Sequence, residues 1–293
     1  MPFHQLVIDL GSADPGAAET ACFALGALSV SLADAADHPV LEPLPGETPL
    51  WPEIRLRALF PVATDPRMAA ATLMVVLALP AAAICAESIA DRSWEREWLR
   101  DFRPMRFGQR LWICPGGQLP SEAGATVLEF DPGLAFGTGA HATTAMCLEW
   151  LDGCPLSTLR VLDYGCGSGI LALAALKLGA RSACACDIDA QALAATRENA
   201  RRNGLLDRLE VLPAGAELAG PFDLVLANIL AGPLRQLAPE MGRLCRPGGR
   251  LLLAGLFDAQ AAEVTDAYRP CFDIETAARR DGWVALAGRR RSE

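Results

Sequence analysis

The sequence has few aromatic residues and lacks a recognisable set of metal ligands. Aromatic side chains make up 6% of its 293 residues, and its 10 cysteines are scattered along the chain. The closest pair, Cys184 and Cys186, has no second cysteine pair or histidine at the spacing of a zinc site. The sequence therefore predicts no metal, and cysteines scattered in this way are typical of reduced thiols.

A surplus of positive charge is also missing. The formal net charge is −9, which argues against a protein whose main task is to bind a phosphate backbone, so we expect no direct nucleic-acid binding. The first residues, MPFHQLVIDLGSAD, lack the basic start and uninterrupted apolar core of a secretory signal. Together these features predict a cytoplasmic protein.

One uncharged run, residues 69–86, approaches the roughly 20 residues that span a bilayer. The run is rich in alanine, has Pro80 near its middle, and is not flanked by an aromatic belt or by basic residues. We therefore expect a buried helix that ends before Pro80 and a short strand toward Ile84, and we expect no membrane span.

The first 90 residues alternate between two kinds of segment. FHQLVIDL, SVSLAD and EIRLRALFPV have the short-range alternation of strands, whereas DPGAAETACFALGAL and DPRMAAATLMVVLAL are typical of helices. They predict a small α+β domain over residues 1–90. A connecting helix is predicted over residues 91–105, where Trp94 and Trp98 share a face that we interpret as packing between domains.

Residues 106–293 have a more regular pattern. TLRVLDYG, SACACDID, LEVLPAG, FDLVLANI and GGRLLLAGLF read as strands, with helices between them such as DAQALAATRENARRNG and AGPLRQLAPEMGRLC. This alternation predicts an α/β domain with a mostly parallel sheet and helices on both faces. Two closing strands after residue 270 are expected to be antiparallel, and the arginines that follow are interpreted as a solvated tail.

A glycine cluster follows the first of these buried strands. Gly165, Gly167 and Gly169 in DYGCGSG allow a ligand to approach the backbone closely. Asp163 precedes them, and Asp187 ends the next strand, where a carboxylate can bind ribose hydroxyls. The spacing GxGxG is weak evidence alone, because nicotinamide enzymes use the related GxGxxG and S-adenosylmethionine (SAM) enzymes also use the second acid.

The strand FDLVLANI helps to separate these two classes. It places Asn228 beside the cleft where the strand order of the sheet reverses. A dehydrogenase more usually has a catalytic base and a substrate arginine here, whereas a methyltransferase needs a polar group at the mouth of the cofactor pocket. The alternative is that Asn228 merely caps the helix that begins at AGPL.

These motifs resemble one known family. LDYGCGSG, DID and ANIL, preceded by DPGLAFGTGAHATT, are similar to class I SAM-dependent methyltransferases, and more narrowly to the PrmA family of ribosomal protein L11 methyltransferases. EPLPGET, WEREW, RPMRFGQRLWICP and NILAGPLRQLAP extend the resemblance over nearly the whole chain. It implies a Rossmann-like class I methyltransferase domain with a seven-stranded sheet over residues 106–293, and substrate recognition by residues 1–90.

The resemblance also implies roles for individual residues. SAM is the implied cofactor, and the positions that match the family's contacts to it are Thr144, Gly165, Gly167, Asp187 and Asn228. Asn228 is also a tentative positioning residue for the reaction. Residues 136–139 would form a loop over the cofactor. Ala140 and Ala142 stand where the family pattern has threonine and proline, and the second change predicts a less rigid loop.

The implied reaction is methylation of lysine ε-amino groups and of the N-terminal α-amino group of ribosomal protein L11, the implied partner. The residues after Asn228 are Ile229 and Leu230, with no aromatic ring to stack on a planar base, which favours an aliphatic amine. His141 is either a proton acceptor or a residue that orders its loop. Three alternatives stay open: a lysine methyltransferase of another protein, a nicotinamide oxidoreductase, and a non-catalytic module that binds a ribosomal protein.

Overall fold

The computed structural model describes residues 3–36, 49–89, 103–120, 122, 124–131 and 141–292. The chain divides into two compact units, Met1–Trp94 and Glu95–Glu293. The connecting helix predicted over residues 91–105 lies outside the described residues except for its last three, and of these Met105 begins a strand.

In its described residues, 3–36 and 49–89, the first unit has a four-stranded antiparallel sheet and two α-helices. Its elements are β1 (Phe3–Asp9), α1 (Pro15–Ala24), β2 (Ser29–Asp34), β3 (Ile54–Pro61), α2 (Pro66–Val76) and β4 (Ile84–Ile89). The strands are ordered β2-β3-β1-β4. Each helix has proline in its first turn after an aspartate cap, and Asp14 and Asp65 accept backbone amides at 2.7 and 2.8 Å.

Helix α2 corrects one prediction. The sequence predicts a buried helix, but only Ala69 and Leu73, one turn apart, are buried. Met68, Val75 and Val76 are 67%, 82% and 61% exposed, because an 11-residue helix on a sheet turns a single face to it. The strand toward Ile84 is confirmed as β4. None of the helices in the described ranges is both long and apolar enough to span a bilayer.

The second unit contains the predicted seven-stranded sheet. Its strands are β8 (Arg160–Tyr164), β9 (Ser182–Asp187), β10 (Leu209–Pro213), β11 (Phe222–Asn228), β12 (Cys245–Phe257), β13 (Phe272–Arg280) and β14 (Trp283–Arg290), preceded by β5 (Met105–Phe107), β6 (Leu111–Cys114) and β7 (Thr126–Glu129). The order is β10-β9-β8-β11-β12-β14-β13. The first five strands pair in parallel and the last two antiparallel, as predicted.

Helices cover both faces of this sheet. They are α3 (Ala142–Asp152), α4 (Ile170–Lys177), α5 (Ala190–Arg202), α6 (Ala231–Leu244) and α7 (Ala261–Tyr268). Side chains of α3, α4 and α5 pack in one hydrophobic cluster and those of α6 and α7 in another. Adjacent residues of a strand enter opposite clusters, as Val161 and Leu162 do, and sheets buried on both faces have this arrangement.

Two parts of this unit differ from the sequence interpretation. Strands β5, β6 and β7 form a separate small sheet that the sequence pattern did not indicate. The C-terminal arginines are not a free tail. The Arg290 guanidinium in β14 donates to the carbonyl of Cys245, and Arg291 pairs with Asp273 at 2.8 Å.

Candidate active site

A pocket of about 790 Å³ lies at the carboxyl ends of β8, β9 and β11. Parallel α/β sheets bind their ligands in this position, and the volume is in the usual range for small-molecule sites. The residues that line it are His141, Thr143, Thr144, Asp163, Tyr164, Gly165, Cys166, Gly167, Ile170, Leu171, Asp187, Ile188, Ala214, Asn228, Ile229, Leu230, Pro233, Gln236, Leu237, Gly255 and Trp283.

The glycine turn after β8 forms one side of the pocket. Gly165 and Gly167 have φ angles of +75° and +52°, which are strained for residues with a side chain. The amide of Gly165 donates to the carbonyl of Cys186 at 2.8 Å, and the amide of Gly167 donates to Oδ2 of Asp187 at 2.8 Å. The end of β9 therefore fixes the turn, and Asp187 both orders it and lines the pocket.

Two glycines, one in the turn after β8 and one in β12, enclose Ile229. A Cβ atom on Gly165 would overlap Cγ2 of Ile229, and one on Gly255 would lie 2.8 Å from its carbonyl carbon and 2.9 Å from its amide nitrogen. Gly255 has a φ of +87° and lies where the register of β12 against β14 shifts. Gly165 leaves room for the side chain of Ile229 and Gly255 leaves room for its backbone, so the residue after Asn228 lies tightly against the sheet.

Asp163 is a buried acid below the glycine turn. It is 1% exposed and accepts the Ala172 amide at 2.9 Å. Burial raises the pKa of this carboxyl from 3.8 to about 7; the hydrogen bond opposes the rise, and the nearby Asp187 adds to it. The group therefore changes charge near neutral pH and would become ionised beside a cationic ligand.

Asn228 and Thr144 meet across the pocket. Asn228 is the last residue of β11, and its amide donates to Oγ1 of the fully buried Thr144 in α3 at 3.2 Å. Helix α6 has Leu230 at its cap position with no side-chain cap bond. The alternative in which Asn228 caps this helix is therefore wrong.

His141 is the capping residue of α3. Its Nδ1 atom accepts the Thr143 amide at 3.4 Å and lies 2.8 Å from the Thr143 hydroxyl. Its ring also meets Trp283 edge to face, with centroids 4.9 Å apart. This geometry favours the interpretation in which His141 orders the chain at the pocket rather than accepting a proton.

The charges of the pocket discriminate between cofactors. Asp163 and Asp187 line it, and no lysine or arginine lies among its described lining residues. A dinucleotide would bring a pyrophosphate to two carboxylates without a cationic partner, whereas SAM brings a sulfonium and an ammonium group. The donor set and the glycine turn fit SAM. No cluster of metal ligands occurs in the part of the chain that the structure describes.

The structure brings the five predicted cofactor positions, Thr144, Gly165, Gly167, Asp187 and Asn228, into this one pocket, and their contacts with SAM stay predictions. The predicted loop over residues 136–139 and Ala140 lie outside the described residues, and Ala142 is the first residue of α3.

Sequence reasoning missed Gly255 and Trp283, which also line the pocket. A glycine inside a strand pattern is a known sign of a bulge or a close backbone approach, and it could have indicated Gly255. No local signal marked Trp283, because only the antiparallel return of β14 carries it to this edge of the sheet.

The seven-stranded sheet, the glycine turn and the acidic pocket define a class I SAM-dependent methyltransferase, and SAM is its cofactor. A family model described as ribosomal protein L11 methyltransferase (PrmA) matches residues 2–291. The chain belongs to the ribosomal protein L11 methyltransferase family.

Individual relatives agree with this assignment. The chain is 48% identical to the ribosomal protein L11 methyltransferase of Pseudomonas putida strain GB-1 and 49% identical to that of Azotobacter vinelandii, over 99% of this chain and 100% of each relative. Among solved structures, a ribosomal protein L11 methylase from Lactobacillus delbrueckii subsp. bulgaricus aligns with a TM-score of 0.60 at 32% identity. That alignment covers 65% of this chain and all of the other.

Proposed function

We propose that this protein transfers methyl groups from SAM to lysine ε-amino groups and to the N-terminal α-amino group of ribosomal protein L11. Similarity to the L11 methyltransferases over the full length supports the substrate. The observation that carries the chemistry is the pocket edge at Asn228, which continues into Ile229 and Leu230 without an aromatic ring. The positions directly after Asn228 therefore lack a ring that could stack on a planar base, and this favours an aliphatic amine; the one tryptophan among the described lining residues, Trp283, is on β14.

In this proposal the two sides of the pocket have different tasks. Gly165, Gly167 and Asp187 hold the cofactor, with Asp187 on its ribose hydroxyls. Bound SAM would supply a methyl group on a cationic sulfur; the amine lone pair would form the new carbon–nitrogen bond as the carbon–sulfur bond breaks, with S-adenosylhomocysteine as the leaving group. Asn228, fixed by its bond to Thr144, orients the groups that meet at the edge of β11.

The amine must be neutral before it can react. A lysine with a pKa near 10.4 loses its proton at neutral pH at a cost of roughly 4 to 5 kcal/mol. The largely apolar pocket wall, which includes Ile229, Leu230 and Trp283, disfavours the charged form and so lowers the pKa of a bound amine. Because His141 is committed to the cap of α3, the proton leaves to solvent before transfer.

The small first unit is proposed to bind the protein substrate. Residues 1–94 contain eleven aspartates and glutamates but only four arginines and no lysine, so this unit holds most of the net charge of −9. An acidic unit attracts a basic protein and speeds its association. A ribosomal protein substrate also makes the cytoplasm the expected location.

A methylation assay with purified proteins tests the proposal. The protein is incubated with SAM and L11, and peptides of L11 are analysed by mass spectrometry. We expect methyl-group mass increments on lysines and on the N-terminus. Methylation of a different ribosomal protein, with L11 unmodified, would instead support the alternative of a lysine methyltransferase with another target. If no methyl group were transferred to any protein, the alternative of a non-catalytic module that binds a ribosomal protein would be supported.

A further inference from the structure

The cofactor pocket has a second half that the proposed SAM contacts do not use. In the sheet order β9-β8-β11-β12-β14, the proposed cofactor residues lie at the ends of the first three strands, apart from Thr144, which lies on α3 and contacts Asn228. Asp187 ends β9 and Asn228 ends β11, two strand spacings or about 10 Å away. Gly255 and Trp283 continue the pocket onto β12 and β14.

Two aromatic rings, those of Trp283 and His141, line the far side of this half, and Phe257 packs against Trp283. We name these three residues the aromatic wall. Phe257 and Trp283 are paired across β12 and β14, and their rings stack with centroids 4.0 Å apart and planes 25° apart. The His141 ring meets Trp283 at 4.9 Å and 72°. Because His141 is fixed by the cap of α3, the indole is held from two sides.

The donor cannot account for the wall. Trp283 begins β14, which is four strand spacings, or about 19 Å, from β9 at the usual distance between strands. In SAM the sulfur that carries the methyl group is joined to the ribose through one methylene, so a donor with its ribose at Asp187 would occupy the part of the pocket between Asp187 and Asn228. The space between Asn228 and Trp283 is therefore left for the second reactant.

We propose that Trp283 is a specificity-determining residue that binds the target side chain of the methylation reaction. Its indole packs against the methylene stem of a lysine and binds the side chain through this apolar contact. Phe257 and His141 hold the ring in place and do not themselves contact the amine. This inference rests on the proposed function, because it assigns the target half of the same pocket.

An aromatic surface suits this task for two reasons. It makes no hydrogen bond that would hold the ammonium in its charged form, so the amine can lose its proton at the site. It also accepts a nitrogen that already bears methyl groups, because the ring makes non-directional contacts. Gln236 on α6 is an exposed polar side chain among the residues that line the pocket.

The test compares Trp283→Ala and Trp283→Phe with the control Trp150→Ala. Trp150 is also a half-buried tryptophan of this unit, but it lies against Arg250 and does not line the pocket. Each variant is measured for SAM affinity by calorimetry, for KM and kcat with L11, and for melting temperature. We expect Trp283→Ala to raise the KM for L11 about tenfold, Trp283→Phe to raise it less, and SAM affinity to change by less than about twofold.

A second readout does not depend on L11. Each protein is saturated with S-adenosylhomocysteine and titrated with the lysine analogue N-acetyl-lysine amide, and the tryptophan indole NMR signals are followed. The wild type and Trp150→Ala should show one shifting indole signal, absent from Trp283→Phe, and Trp283→Ala should bind the analogue about tenfold more weakly.

The outcomes separate the two proposals. Binding of the analogue that depends on Trp283, with L11 unmethylated, would keep this inference and reject the proposed substrate. Methylation of L11 with an unchanged KM and unchanged analogue binding in Trp283→Ala would overturn the inference and keep the function. The inference would also be overturned if Trp283→Ala weakened SAM binding by the same factor as it raised the KM for L11 and melted below Trp150→Ala. The indole would then only stabilise the fold.

Discussion

The side-chain amide of Asn228 donates a 3.2 Å hydrogen bond to the hydroxyl of Thr144, so that the end of β11 is tied to the first turn of α3 across the pocket. Thr144 is fully buried, and Asn228 is half-buried at the pocket wall. The bond fixes the polar group that lies between the proposed cofactor half and target half.

Removal of this bond should impair catalysis more than folding. Thr144→Val keeps the shape of the side chain but leaves the Asn228 amide without its partner, at a cost of about 1 to 3 kcal/mol. We expect kcat/KM to fall about tenfold or more in Thr144→Val and in Asn228→Ala. Steady-state kinetics of both single variants and the double variant measure the coupling. Additive losses would show that the two residues act independently.

Loss of the Asp187 carboxylate should weaken cofactor binding. Asp187→Ala removes the proposed ribose ligand and the acceptor of the Gly167 amide, so we expect SAM affinity to fall by about 1 to 3 kcal/mol. Calorimetry with SAM and with S-adenosylhomocysteine measures the effect, and NADH should not bind either protein. Asp189→Ala removes only the cap of α5, and serves as the control. Equal SAM affinity in the wild type and Asp187→Ala would contradict the assignment.

Asp163 should make stability depend on pH. Its pKa is about 7 in the folded protein against an ordinary value of 3.8, so the folded state binds the extra proton between these values. The stability contribution of Asp163 is therefore largest below pH 4 and is lost as the pH rises toward 7. Denaturant unfolding at several pH values should show this slope in the wild type and a flatter curve in Asp163→Asn. Stability curves with the same pH dependence in the wild type and Asp163→Asn would argue against a raised pKa of Asp163.

The same group should couple cofactor binding to proton release. A cationic ligand near Asp163 favours the carboxylate, so SAM binding near pH 7 should release protons to the buffer. Calorimetry in buffers with different ionisation enthalpies measures the number released. Asp163→Asn should reduce that number, and an unchanged release in this variant would place the titrating group elsewhere.

Gly255 should be intolerant of any side chain. A Cβ there would meet the Ile229 backbone at less than 3 Å, so Gly255→Ala should destabilise the protein by about 1 to 3 kcal/mol beyond the strain of a positive φ. Gly215→Ala is a matched control, because Gly215 has a φ of +88° and no atom within 4 Å of its Cβ position. Chemical denaturation compares the two. Equal destabilisation would show that Ile229 moves without penalty.

The acidic first unit should make substrate binding sensitive to salt. Attraction between exposed charges is screened over about 8 Å at physiological ionic strength and over shorter distances in more salt. We expect the KM for L11 to rise with salt while SAM affinity changes little. An N-acetyl-lysine amide assay provides the control, because this small substrate does not need the first unit. A KM for L11 that does not change with salt would count against binding of L11 by the charges of the first unit.

The fold of the second unit can be predicted from the sequence because the signals that indicate it are local. The apolar runs that end at Tyr164, Asp187 and Asn228 are separated by helical patterns, and this alternation predicts the parallel sheet that the structure contains. The glycine turn and Asp187 can be recognised as candidate cofactor contacts from their spacing along the chain alone. Helix starts marked by an aspartate followed by a proline, such as Asp14 before α1, can be predicted equally well.

The remaining features depend on tertiary contacts. The apolar run of α2 predicts a buried helix, but apolar composition does not determine how many faces of a helix are covered, and Val75 lies on the face that is exposed to solvent. The roles of Gly255 and Trp283 depend on pairing between β12 and β14, which no short segment encodes. The sequence allows His141 to be either a proton acceptor or a residue that orders its loop, and the structure favours the second because His141 caps α3.

Mass spectrometry of ribosomal protein L11 from cells that lack this protein is the most direct test of the account. We predict that L11 from these cells lacks methyl-group mass increments present in the parent strain. Wild-type protein should restore them, and Asp187→Ala should restore few or none. An L11 of identical mass in the presence and absence of this protein would contradict the account.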